Sequence, residues 1–235
     1  MADGTVVFLN GTSGAGKSTL ARTLQQILPE PYLHLSLDYF DPMFPPRYHA
    51  VVAPGEAERA SPEARAGLLL VAGERDGAFH FEARQGPISR RFMAGVHRCI
   101  RALATTGNNV IVDHLLLRDV AREECARALA GLPALLVGVH CPLDVARRRQ
   151  RERGDRLVDL AAWQAGRVHA GIVYDLEIDT TRSNPAECAR LVAAALASSP
   201  ARRTDAEWRR VLGLAGDTPA GAASGAAQRR GKGPR

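Results

Sequence analysis

Apolar residues fall into short unbroken runs, separated by stretches in which they recur every three or four positions. The runs at 5–10 (TVVFLN), 32–37 (YLHLSL), 110–112 (VIV) and 134–139 (ALLVGV) lack the in/out alternation of a half-exposed strand, so they predict strands buried on both faces. A shorter strand is predicted at 176–179 (LEID). Between these runs, residues 18–28 place Leu20, Leu24, Ile27 and Leu28 on one helical stripe, and Pro29 and Pro31 stop it. Residues 90–105 do the same with Phe92, Val96, Ile100 and Leu103. Asp119 caps a helix that runs to Gly131 and Pro133. Residues 142–153 and 157–170 read as two helices split at Gly154, and 185–197 as the last core helix. Strand and helix alternating in this way predict an α/β fold, a parallel sheet with helices on both faces.

Two stretches break the alternation. Residues 41–89 form an insertion rich in Pro, Gly, Ala and charge, with one helical candidate at 62–72. Residues 213–235 are rich in Gly, Ala and Arg without an aromatic residue, the composition of a disordered basic tail. The expected organisation is therefore a domain at 1–199, carrying the insertion at 41–89 and a lid at 147–170, then a peripheral helix at 200–212 and the tail.

Composition adds exclusions. With 46% hydrophobic and 24% charged residues, the chain can bury a core, and it has no run of about 18 apolar residues that would span a membrane. No signal-peptide pattern opens the sequence, so a cytoplasmic location is expected. The net charge of +6 is uneven: residues 200–235 hold eight basic and three acidic groups, leaving +1 on the rest. Overall basicity is thus a weak argument for a nucleic-acid partner. The four cysteines (Cys99, Cys125, Cys141, Cys188) show no metal-ligand spacing and read as buried reduced thiols.

Candidate chemistry begins at Gly11-Thr12-Ser13-Gly14-Ala15-Gly16-Lys17-Ser18, which fits G-x-x-x-x-G-K-[ST] between a strand and a helix. Gly11, Gly14 and Gly16 let the main chain wrap an anion with its N–H groups, and the helix from Ser18, Thr19 included, aims its positive end at the same charge. Only two lysines occur, Lys17 and Lys232, and Lys17 is placed to reach β- and γ-phosphates while Ser18 faces magnesium. A P-loop nucleoside triphosphate fold binding ATP with Mg2+ is expected. Asp113, after the third strand, is the candidate acidic group on the metal side. Residue 114 is His rather than Glu, and no N-K-x-D run occurs, which argues against motor ATPases and GTPases and for phosphoryl transfer to an organic acceptor.

Such transfer needs a carboxylate to take the acceptor's proton and cations over the migrating phosphoryl group. Asp38 ends the second strand, on the rim where ligands of parallel sheets bind, and is the expected general base, with Asp41 as competitor. Arg153 and Arg156 flank the hinge-like Gly154 in an arginine-dense helix end and are the expected catalytic lid cations. His169, Tyr174 and Asp175 read more readily as structural than as substrate-binding, Trp163 as core, and Tyr39, Phe40, Met43 and Phe44 as lining for an acceptor or packing for the insertion.

FLNGTSGAGKST, LPEPYLHLSLD, VIVDHLL, LLVGVHCPLDVARRRQRERGDR and VHAGIVYDLEIDTT together resemble the chloramphenicol 3-O-phosphotransferase family of P-loop kinases. The resemblance implies a kinase fold, ATP with magnesium and transfer to the hydroxyl of a small molecule, with Asp38 as base and Arg153 and Arg156 as lid arginines. Residues 39–89 depart from the family pattern in length and in Arg and Pro content. Two alternatives keep the P-loop: a kinase for another metabolite, nucleoside or sugar, and a nucleic-acid-binding NTPase using the basic tail.

Overall fold

The computed structural model describes residues 2–75, 78–117, 119–154, 160–198 and 200–214. Five parallel strands form the central sheet in the order β2-β6-β1-β7-β8: β1 (Val6–Asn10), β2 (Tyr32–Ser36), β6 (Asn109–His114), β7 (Ala134–His140) and β8 (Leu176–Asp179). Alternate residues of the apolar runs feed two cores. Val6, Phe8, Val110, Val112 and Leu136 meet α3 (Pro87–Thr105), α4 (Asp119–Leu129) and α8 (Asp205–Val211). Val7, Leu9, Ile111, Leu135 and Val137 meet α1 (Lys17–Ile27) and α7 (Pro185–Ala197). Because both faces are covered, both sets of positions had to be apolar.

Register then fixes the working edge. Asn10 lies opposite His114 on one side and Gly138 on the other, and Ser36 lies opposite Asp113. The carboxyl ends of β1, β2 and β6 thus align on one rim. The chain passes from one side of β1 to the other between β6 and β7, so the loop after β1 sits at the reversal in strand order where parallel sheets bind ligands.

The insertion is a second sheet, not the loop with a helix that its composition predicts. The candidate helix at 62–72 is only α2 (Pro62–Ala66); after Gly67 the chain becomes β4 (Leu68–Arg75), which pairs antiparallel with β5 (Ala78–Gln85) and parallel with β3 (His49–Val52). Gly67 permits the break, since a Cβ there would lie 1.9 Å from the Tyr48 carbonyl oxygen. Leu68–Arg75 has no strong local preference; pairing with β5 decides its form.

Three further expectations are corrected. The helix at the end is α8, and it is not peripheral: Trp208 is fully buried among Leu129, Leu132 and Leu212 of the first core. Trp163 is only half-buried, on α6 (Leu160–Ala165), with the ring of Phe81 edge-on at 5.0 Å and the Arg167 guanidinium stacked at 5.0 Å. Among the cysteines, Cys125 and Cys188 are buried as expected, whereas Cys99 is exposed. Residues 215–235 of the predicted tail lie outside the described residues.

Candidate active site

The loop from Gly11 to Gly16 joins β1 to α1 through two left-handed glycines, Gly14 (φ 80°) and Gly16 (φ 96°). Gly14 also packs too closely for a side chain: a Cβ would lie 2.6 Å from the carbonyl oxygen of Ala146 on α5 (Leu143–Arg153). Lys17 opens α1 and curls back so that Nζ donates to the Gly11 and Thr12 carbonyls, both at 3.0 Å. Its charge faces Asp113, with Nζ 3.6 Å from Oδ1.

Asp113 is the electrostatic centre of the rim. Burial alone would raise its pKa. The His34 ring, with Nε2 3.8 Å away, the Lys17 ammonium and the hydroxyl of Ser18, donating at 2.6 Å, outweigh that effect and hold the carboxyl at about 2. Asp113 is therefore a fixed anion at neutral pH. Next to it, His114 is buried against Phe8 and His97; burial and the His97 ring keep it neutral, with a pKa of about 3.

Asp38 lies in the short 3-10 turn Leu37–Tyr39 that follows β2. It opens on a crevice of about 160 Å³ whose walls include Lys17, Ser18, Asp113 and Asp41. The five sequence-predicted residues Lys17, Ser18, Asp38, Asp41 and Asp113 are thus brought together. Arg156 and the side chain of Arg153 lie outside the described residues; the backbone of Arg153 ends α5, and Gly154 follows in the left-handed conformation (φ 71°).

A second cleft, of about 580 Å³, adjoins the other side of the loop at Gly16 and Thr19. Here two residues brace the loop: Arg149, which the sequence offers only as solvent-facing or adenine-side surface, and Thr180, to which it assigns no role. Arg149 donates to the Gly14 carbonyl at 3.3 Å and to Thr180 Oγ1 at 3.1 Å, and Thr180 donates to the Ala15 carbonyl at 2.8 Å. Arg149 was hidden in a run of arginines; Thr180 follows the end of β8, on the same rim, and that position was the available signal. A third residue, Gln164 on α6, accepts from the Ser13 amide at 2.7 Å. Nothing in its local sequence marks it.

The His-Tyr-Asp cluster is structural in its bonding. Tyr174 Oη is bonded to Asn10 Nδ2 (2.6 Å) and His169 Nδ1 (2.7 Å), and Asp175 accepts from the Leu136 amide and pairs with Arg203. Behind the Asp38 turn, Phe40, Met43, Phe44 and Phe92 line an apolar groove of about 510 Å³, with Met43 largely exposed; Tyr39 is exposed and is not part of that lining. Among the described residues there is no cluster of three or more His, Cys, Asp or Glu able to cage a metal, and no helix long and apolar enough to cross a membrane.

Comparison with known proteins agrees with this geometry. Residues 4–197 match the model of the family described as "Chloramphenicol phosphotransferase-like protein". Two Mycobacterium tuberculosis proteins, from strains CDC 1551 / Oshkosh and ATCC 25618 / H37Rv, each carry the name "Putative O-phosphotransferase"; each is 34% identical over 190 residues, 81% of this chain and 81% of the relative. Among solved structures, the M. tuberculosis APS kinase CysC in complex with AMPPNP and APS superposes with a TM-score of 0.53 at 18% identity, covering 84% of this chain and 99% of that one. A gluconokinase from Sinorhizobium meliloti 1021 gives 0.51 at 17% identity, with 84% and 94% covered. At these identities the structural likeness speaks for the fold alone.

Proposed function

This chain belongs to the chloramphenicol phosphotransferase-like family and is a phosphotransferase of the kinase class, and on that premise we propose that it moves the γ-phosphoryl group of ATP to the hydroxyl of a small molecule, with Asp38 as general base. The observation that carries the reading is the shared crevice: Asp38 and Lys17 line one space of about 160 Å³.

In this reading the loop amides and Lys17 hold the β- and γ-phosphates while the cleft beside Thr19 and Arg149 takes the nucleoside. Ser18 and the permanently ionised Asp113 are hard oxygen donors of the kind Mg2+ takes, and they would hold it together with phosphate oxygens and water. Bound there, the ion would neutralise charge between the β- and γ-phosphates. Asp38 accepts the acceptor's hydroxyl proton as that oxygen bonds to phosphorus and the bond from phosphorus to the bridging oxygen of ADP breaks. Arg153 and Arg156, beside Gly154, would close over the migrating group as lid cations. The groove at Phe40, Phe44 and Phe92 suits an acceptor with an apolar body.

The test pairs a panel of hydroxyl compounds, chloramphenicol among them, with ADP release as readout. With the acceptor so found, Asp38→Asn is expected to lower turnover by about 10²–10⁴-fold while AMPPNP affinity stays close to wild type. Full turnover in that variant would remove Asp38 from the chemistry.

A further inference from the structure

The lining of the phosphate crevice includes a residue from a helix remote from both the P-loop and the rim carboxylates. Gln164 reaches it from α6, more than 140 positions away in sequence, and is 2% exposed. We infer that Gln164 is a catalytic donor: its carboxamide Nε2 binds an oxygen of the transferring γ-phosphoryl group, in an orientation fixed by the Ser13 amide. The inference rests on the phosphotransferase reading above and extends it by one residue.

Glutamine presents one acceptor oxygen and one donor NH2, and its orientation is set by its partners. The Ser13 backbone N–H can only donate, so the group 2.7 Å from it must be Oε1. That leaves Nε2, with two hydrogens and no lone pair to offer, as the remaining polar end of a side chain that borders the crevice beside Lys17 and Ser18. Among the described residues Nε2 makes no hydrogen bond. A neutral donor-only group beside the phosphate-binding lysine is complementary to a phosphoryl oxygen.

The side chain is also held still, which a transition-state donor requires. Helix α6 and the turn that follows it are held at three points: Phe81 of the insertion packs edge-on against Trp163, Gln150 accepts from the Ala161 amide at 3.2 Å, and Asn10 at the end of β1 donates to the carbonyl of Val168, just beyond the helix, at 2.9 Å. Asn10 immediately precedes the P-loop and Ser13 lies within it, so both of these bonds tie the segment to the phosphate loop. The acceptor-side insertion, α6 and the phosphate loop are thereby one contiguous packing unit.

Gln164→Glu separates this role from simple bracing of the loop. A glutamate carboxylate has the same shape and accepts from the Ser13 amide at least as well, but it replaces the donor with an anion that repels phosphate. The measurement is calorimetric affinity of the full chain for AMPPNP and for ADP, each with magnesium. The expected result is a fall of about tenfold or more for AMPPNP with ADP within about twofold of wild type. Wild-type preference for the triphosphate in Gln164→Glu, or an equal loss for both nucleotides, would overturn the inference. Should Gln164→Glu melt below the assay temperature, Gln164→Ala yields the same ratio without adding charge, and an unchanged ratio there overturns it equally. A wild-type chain that binds neither nucleotide would defeat the phosphotransferase reading instead.

Discussion

Ser18 and Asp113 stand 95 positions apart in sequence, yet the serine hydroxyl donates to the aspartate Oδ2 at 2.6 Å. The register of β1 against β6 brings them together, because it sets the strand end that launches the P-loop beside the strand that carries Asp113. One side chain lies in the first turn of α1 and the other is the last residue but one of β6, so the geometry of this pair is tied to sheet pairing.

Asp113→Asn keeps the shape but removes the anion that faces Lys17 and Ser18. The magnesium concentration needed for half-maximal AMPPNP binding should rise about 10–100-fold, the usual cost of disturbing a metal site's supporting groups. A magnesium titration followed by nucleotide fluorescence measures it; an unmoved midpoint would take Asp113 off the metal side.

Gly14→Ala should damage the loop twice over. Its φ of 80° disfavours any L-residue by about 1–3 kcal/mol, and the new methyl would sit 2.6 Å from the Ala146 carbonyl oxygen. Relief requires α5 to move away from the loop. A lower melting temperature together with weakened binding of both ADP and AMPPNP is expected, and wild-type affinity for either would contradict the close packing of Gly14 on Ala146.

Acid should destabilise the protein before its carboxylates titrate. Burial lowers His114 to about 3 and His169 to about 4, both below the ordinary 6.5. The unfolded chain therefore takes up those protons first as pH falls. The stability contributed is full above about pH 6.5 and is lost progressively as pH drops toward 4 and then 3, at up to about 1.4 kcal/mol per pH unit for a fully buried ring and less for the partly open His169. Melting temperature should decline from pH 7 to pH 5, and more shallowly in His114→Gln. Parallel profiles for the two proteins would assign the acid sensitivity elsewhere.

Trp208→Ala probes the helix beyond the family match, which ends at residue 197. Trp208 is fully buried in the first core, so truncation should cost about 3–5 kcal/mol in chemical denaturation. The crevice residues are elsewhere, and the folded fraction should bind AMPPNP as before. A loss below about 1 kcal/mol would mean that α8 is dispensable to the core.

Legibility varied along the chain for physical reasons. Strands β1, β6 and β7 were readable because a sheet covered on both faces forces every position to be apolar, and the P-loop was readable because wrapping phosphate demands glycine at fixed spacing. The insertion was misread at 62–72, since Leu68, Leu69 and Leu70 suit a helix as well as a strand until β5 supplies the partner. Trp208 was placed outside the core for a similar reason: seven helical residues near a basic tail give no local sign that their one large ring fills a gap beneath α4.

What the amino-acid order settled unaided was chemistry held in contiguous segments: an α/β chain, a loop shaped for a polyphosphate, and a carboxylate at the end of the second strand. What tertiary packing alone settled was company. Only the parallel register sets Asp38 and Asp113 around Lys17, and only the docking of α6 brings Gln164 to the Ser13 amide. Local sequence encodes short-range backbone preference and hydrophobic period, whereas pairs such as Ser18 with Asp113 and Ser13 with Gln164 are chosen by strand pairing and side-chain fit across 95 and 151 positions of chain.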